Sequence, residues 1–300
     1  METNGGDYSN PLLDYFHNRD ASVVGLGEAS IPADVLFCFI WYARSEIFSY
    51  KLNRGVRLGM WQTYNASRGI ATKLIANTLG LSNLIPETKY VRLFVSDKTQ
   101  RFGSYMDIAD GIPIEKYREY EKERVLTPEI QRSLNQLNIL DAITYEKDHR
   151  VNNYHIEFKD NKAVRVCAFD NDSVLCFFIN PSPAFSTYAG CSPLVVNGRY
   201  NRPYVDKEIV DKLKDIEFQQ LRELLSGYCS LLQTIACYIR VIILRNSILK
   251  SMKKGSVRCL NREEWTEQTV KEELMSEKYG LTYLKLLETN IENKDNCDKK

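Results

Sequence analysis

Leu137-Asn138-Ile139-Leu140-Asp141-Ala142-Ile143-Thr144-Tyr145-Glu146-Lys147-Asp148-His149-Arg150-Val151-Asn152-Asn153-Tyr154 is the stretch on which the fold of this chain turns. An apolar run with helical character ends near Thr144, and a polar loop then carries Asp148 and, five residues later, Asn153. A strand-like Tyr154-His155-Ile156-Glu157-Phe158 follows at once, and a second strand from Ala163 to Phe169 delivers Asp170-Asn171-Asp172. Two strands thus present an Asp/Asn pair and another aspartate at one end.

The flanks of this stretch differ in kind. Upstream, β-branched and apolar runs at Ala21 to Leu26, Val35 to Tyr42 and Glu46 to Leu52 predict three strands, and Ile70, Leu74, Ile75 and Leu79 predict a helix from Gln62 to Leu79 with Gly80 as its stop. Strands are expected at Tyr90 to Val95 and Arg101 to Ile108. Beyond Gly111, helices are expected at Ile114 to Arg124, Pro128 to Thr144, Lys207 to Leu225, Tyr228 to Lys250 and Arg262 to Leu287. Strands with one helix, then helices, make an α+β chain with a strand-rich N-lobe over 21–109 and a helical C-lobe over 110–289. The polar composition of 1–20 and of 290–300 predicts a flexible start and a disordered tail.

Phosphoryl transfer asks little covalent help of a protein, but it needs metal held against the phosphates and a carboxylate that orients the attacking hydroxyl. Mg²⁺ takes hard oxygen ligands and usually only one or two protein carboxylates. Asn153 and Asp170 supply oxygens of that kind, Asp148 is suited to accept the hydroxyl proton, and His149 or Arg150 balances charge beside them. Gly25-Leu26-Gly27 with Ser30 offers unobstructed backbone amides to phosphate oxygens, although an ordinary hairpin turn fits the same residues.

Asp148-His149-Arg150-Val151-Asn152-Asn153 resembles the catalytic loop of the protein-kinase-like superfamily, in particular the branch of phosphatidylinositol kinases, HipA-type kinases and actin-fragmin kinase. That branch commonly reads Asp-Arg-His-x-x-Asn, so His149-Arg150 is a transposed version. Ala168-Phe169-Asp170-Asn171 stands where the branch has its metal-binding aspartate. Leu79-Gly80-Leu81 followed by Leu84-Ile85-Pro86-Glu87-Thr88 resembles its Leu-Gly-Leu…Val-Pro-x-Thr, and Arg101 to Met106 resembles the strand entering the hinge. The likeness runs from about Val23 to Phe178.

The resemblance implies a two-lobed kinase-like fold binding ATP with Mg²⁺, or Mn²⁺ in its place. It assigns Lys51 to the α/β-phosphates and Tyr105-Met106 to the flanks of the adenine. The transferred group is expected to be the γ-phosphate and the acceptor a hydroxyl, a protein Ser/Thr rather than a lipid, since no membrane-seeking basic helix is evident. One departure stands out: the helix after the lysine strand has no acid between Asn65 and Leu79 to pair with Lys51, leaving Arg68 or Glu46 to take that place. That departure supports a second reading, a pseudokinase acting through its C-terminal helices, and the resemblance allows a third, an adenylyl transferase on the same fold.

Composition sets the remaining bounds. Forty basic and thirty-nine acidic residues leave a formal charge of +1, too little to draw the chain to nucleic acid. Eight cysteines without a Cys-x-x-Cys pair, most among apolar neighbours, point to reduced thiols and a cytoplasmic setting. The polar N-terminus reads as no secretory signal, and export without one is compatible with this setting. His17, His149 and His155 have no zinc-ligand spacing, and no Gly-x-Ser-x-Gly elbow marks a hydrolase. The apolar stretch Tyr228 to Leu249 holds Gln233, Arg240 and Arg245, and each arginine costs roughly 2.5–3.5 kcal/mol at a bilayer centre, so a buried helix is expected.

Overall fold

Mostly antiparallel strand pairs and packed helices make up the described residues. The computed structural model describes residues 48–52, 55–58, 61–96, 99–107, 111–113, 127–146, 153–169, 171, 174–181 and 194–275. These fall into two units, one comprising residues up to Lys73 with Pro86–Ile108, the other Leu74–Ile85 with residues from Ala109 onward. The architecture is mixed α+β. The strands expected at 21–26 and 35–42 and the helix expected at 114–124 lie outside the described residues, as do both polar termini.

In the first unit β1 (Phe48–Leu52) is followed by a hairpin of β2 (Gly55–Leu58) and β3 (Trp61–Tyr64). The helix expected from Gln62 starts only at Asn65, because Trp61-Gln62-Thr63-Tyr64 pairs with Gly55–Leu58 in register. Aromatic and β-branched residues suit that pleated ladder better than a helical first turn. After α1 (Asn65–Thr78), β4 (Thr88–Ser96) and β5 (Thr99–Asp107) form a hairpin, and β1 joins its far side to give the order β1-β5-β4.

Helix α1 ends as its glycine predicts. Gly80 adopts φ +75°, and the Leu81 amide reaches back to the Ala76 carbonyl at 2.8 Å, closing the last turn in the left-handed cap that glycine enters without strain. Leu79, Leu81, Leu84 and Ile85 are all buried, so the Leu-Gly-Leu segment is a core element of the second unit. The Arg165 guanidinium holds the turn there by donating to the Asn83 carbonyl at 3.0 Å.

The second unit contains β6 (Ile112–Pro113), α2 (Pro128–Thr144), and the hairpin of β7 (Tyr154–Lys159) and β8 (Lys162–Ala168), in the sheet order β6-β7-β8. Thr127 starts α2: its hydroxyl accepts from the Ile130 amide and donates to the Ala163 carbonyl at 2.6 Å, so one side chain caps the helix and fastens it to the hairpin. Proline at the first helical position adds a preset φ. The hairpin turns at Asp160 and Asn161, both at positive φ, the pairing that matches strand twist in a two-residue loop.

Further along, β9 (Val195–Val196) and β10 (Arg199–Tyr200) form a second tight hairpin. Strand β11 (Tyr204–Asp206) pairs in parallel with β12 (Arg258–Leu260), and the crossover between them contains α3 (Lys207–Asp215), α4 (Phe218–Leu225) and α5 (Leu231–Lys253). Residues 207–225 are therefore two helices rather than the single one expected, broken at Ile216–Glu217 without glycine or proline. Helix α5 begins at Leu231, three residues later than expected, because Ser230 and Gln233 form a reciprocal capping box. Likewise the helix expected from Arg262 opens with a 3₁₀ turn over Arg262–Glu264, and α6 (Glu267–Met275) starts after it.

By length and composition α5 alone among the described helices is able to span a bilayer, yet half of its apolar window is buried within the protein, where it packs against α2. One polar node fixes the helical layers. Asp206, fully buried, accepts from Arg132 at 2.6 Å and Gln136 at 3.0 Å, and also caps α3 through the Ile209 amide. The Asp206 amide donates to the Asn135 side chain, so β11 and α3 are pinned to α2 from both directions.

Candidate active site

The site must be built from where the chain enters and leaves its two polar loops. Helix α2 stops when Tyr145 enters the left-handed region at φ +61°, with the Tyr145 and Glu146 amides both donating to the Asp141 carbonyl. A non-glycine residue there costs of order 1 kcal/mol, which surrounding structure must offset. The compensation is visible: the Tyr145 ring stacks on Phe178 at 5.5 Å and lies under the Arg240 guanidinium at 5.7 Å.

Two backbone bonds then tie the loops together. The Phe169 amide donates to the Asn153 carbonyl at 2.9 Å, and the Leu175 amide donates to the Thr144 carbonyl at 2.6 Å. In sequence, Thr144 and Asn153 flank 147–152, and Phe169 and Leu175 flank 170–173. Each flank of one loop is hydrogen-bonded to a flank of the other. Val174, Leu175 and Cys176 are buried, so the returning segment is a core strap rather than a surface loop.

Arg240, on α5, secures that strap. Its Nε donates to the Ile143 carbonyl at 2.6 Å, and its Nη1 donates to the carbonyls of Cys176 at 3.1 Å and Phe178 at 2.5 Å. Gln233, a helical turn or two earlier, donates to the Leu175 carbonyl at 2.9 Å. The Arg240 side chain is fully buried, and its Nη2 has no hydrogen-bond partner among the described residues. An ionised group without water costs several kcal/mol before compensation, and arginine does not discharge. Three carbonyls, an aromatic face and the negative end of the α2 dipole, where Ile143 lies, supply the compensation. Cys237, one turn from Arg240, also faces the Ile143 carbonyl at 3.6 Å. Burial pushes its thiol up against the opposing influence of Arg240, so it stays protonated and is no nucleophile.

The sequence-predicted residues divide into three groups. Asn153 is buried at the mouth of the β7–β8 hairpin, with Asn171 also buried nearby in sequence to Asp170. In the first unit Lys51 occupies the register position opposite Ser104, Tyr105 lies opposite Tyr50 and Lys89, and Met106 lies opposite Ser49 and Thr88. Lys51 and Met106 have the same parity of register and Tyr105 the other, on directly bonded strands. Asp148, His149, Arg150, Asp170, Gly25, Gly27 and Ser30 lie outside the described residues. His155 rests edge-on against Phe169 at 4.8 Å, a packing position beside the loop rather than in it.

Helix α1 contains no acid, and its buried charges are basic: Arg68 and Lys73, the latter paired with Glu87 at 3.4 Å. Among the described residues no cluster of three His, Cys, Asp or Glu is arranged to hold a metal. Arg240 is the residue that sequence reasoning missed. An arginine in the middle of an apolar helix is the signal that exposes it, and the sequence used that arginine only to argue against a membrane span. No protein-family model matches the chain, and no curated protein does either.

Proposed function

We propose that the chain is an ATP-dependent phosphotransferase of two-lobed kinase-like fold. Asp148 orients the acceptor hydroxyl and accepts its proton, Asn153 and Asp170 hold Mg²⁺, and His149 or Arg150 balances the developing charge. Lys51 binds the α/β-phosphates, with Tyr105 and Met106 beside the adenine.

The observation that carries this reading is the pair of backbone bonds joining the flanks of the two loops, Asn153 to Phe169 and Thr144 to Leu175. Chain connectivity does the rest. Asp170 is one peptide bond from Phe169, whose amide donates to the Asn153 carbonyl. Asp148 is two residues from Glu146 and is held to within about 7 Å of it. On this reading the two carboxylates and the amide, far apart in sequence, share one metal triphosphate. Hard oxygen donors from this set fit Mg²⁺, which when bound offsets phosphate charge. Order in the first unit agrees: the strand bearing Lys51 lies directly beside the strand bearing Tyr105 and Met106.

A protein hydroxyl is the favoured acceptor. Incubation with γ-labelled and α-labelled ATP in separate tubes, with casein as a general acceptor, is the test. Transfer of γ-label that depends on Asp148 and Asp170 is expected, with Asp170→Ala abolishing metal-dependent ATP binding and Asp148→Ala retaining binding without transfer. Label from α-ATP instead identifies an adenylyl transferase, and equal ATP affinity in wild type and Asp170→Ala overturns the metal assignment. The acid-free helix α1 supports a second reading, a kinase-like binding module acting through its C-terminal helices. Label in no product, with ATP binding retained, selects it.

A further inference from the structure

We infer that Arg240 is a positioning residue, whose buried guanidinium holds two segments, 143–146 and 174–178, in one frame. The inference rests on the proposed phosphotransferase reading for its consequence in turnover, but its geometry stands on described residues alone. Ile143 and Cys176 are thirty-three positions apart in sequence, and one side chain bonds both their carbonyls, at 2.6 and 3.1 Å. Ile143 precedes Asp148 by five residues and Cys176 follows Asp170 by six. Gln233 reaches the Leu175 carbonyl, and the Leu175–Thr144 bond is backbone to backbone.

The choice of residue type has a physical reason. Three carbonyl oxygens approaching from two chain segments need a donor with several N–H groups fixed in a plane, which guanidinium has and an ammonium lacks. Lysine at this position keeps the charge and loses the fork. The left-handed backbone at Tyr145 and Leu175, φ +61° and +55°, brackets the contact on either side, so both segments hold conformations they would leave if released. Loss of the fork should therefore loosen 143–146 and 174–178 first.

The test uses the full-length chain and two readouts. In Arg240→Lys, amide exchange at Tyr145, Glu146 and Leu175 should quicken roughly tenfold, the response to losing about one net hydrogen bond, while Val205 and Leu244 keep their protection. Turnover with Mg²⁺ and ATP should fall about 100-fold with the KM for ATP within about threefold of wild type, as expected when bound groups are misplaced by about 1 Å. Unchanged exchange at these amides overturns the inference, and so does a uniform rise across the second unit, which marks a merely structural role. If Arg240→Lys does not fold, exchange in the wild type must show Tyr145, Glu146 and Leu175 opening with one common free energy, and independent opening of the two segments is equally fatal. An inactive wild type whose Arg240→Lys variant still shows the local pattern rejects phosphotransfer but keeps the clasp.

Discussion

Replacing Asp206 by alanine should be among the most damaging single changes outside the proposed active site. The carboxylate is fully buried and serves three partners at once: Arg132 at 2.6 Å, Gln136 at 3.0 Å and the Ile209 amide at 3.3 Å. Loss of the helix cap costs about 1 kcal/mol. An orphaned, buried Gln136 amide adds about 1–2 kcal/mol. Arg132 keeps Glu208 at 2.7 Å, so losing its other partner adds about 1 kcal/mol rather than the full cost of a broken buried pair. The sum is about 3–4 kcal/mol, whereas Asp206→Asn, which retains the single Oδ1 that both the cap and Gln136 use, should cost about half as much. Trp265 reports on this region, because it packs edge-on against Tyr204, two residues from Asp206. Urea unfolding followed by its fluorescence, in a background carrying Trp41→Phe and Trp61→Phe, should show the midpoint falling by about 1.5–2 M at an m-value near 2 kcal/mol/M. A shift below about 0.5 M for Asp206→Ala would show that the node contributes little and that apolar packing alone joins β11 to α2.

Thr127→Val removes both the α2 cap and the bond to the Ala163 carbonyl, and should lower stability by about 1–2 kcal/mol in thermal melts, with Thr127→Ser recovering most of the loss. Gly111→Ala should destabilise by more than about 2 kcal/mol, because φ is +101° and a Cβ there would meet the Ile156 carbonyl oxygen at 2.1 Å; near-native melting would contradict the strand pairing of β6 with β7. Cys237 provides a pH prediction. Burial holds its folded pKa above that of the unfolded chain, so its contribution is complete below about pH 8.5 and is lost as pH rises through the folded value. Denaturation at pH 7 and pH 10 should thus show a larger loss for wild type than for Cys237→Ala, each compared with itself.

The parts of the fold that follow from local chemistry are legible in the sequence. Helix α2 runs from Pro128 to Thr144 as expected, because a threonine cap, a proline and sustained apolar spacing all agree. The β7–β8 hairpin agrees within a residue of its expected strands. What escaped depends on competition or on distance. Trp61–Tyr64 had helical company but found a strand partner, and the Asn197-Gly198 turn joining β9 and β10 is a strong hairpin signal passed over because its strands are only two residues each. The break at Ile216–Glu217 carries no residue that forbids a helix. At the candidate site, Asn153 and its loop are visible as a spacing, whereas Arg240 acts from nearly a hundred positions away and has no local pattern to announce it.

The tight turn at Asp160–Asn161 is exposed and lies at the end of the hairpin opposite Asn153. Six strand residues at about 3.3 Å each separate the two ends by about 20 Å. An epitope or fluorophore grafted at that tip would ride on a paired arm rooted at Asn153 and Phe169, giving an optical handle on the second unit that leaves the hairpin's base untouched.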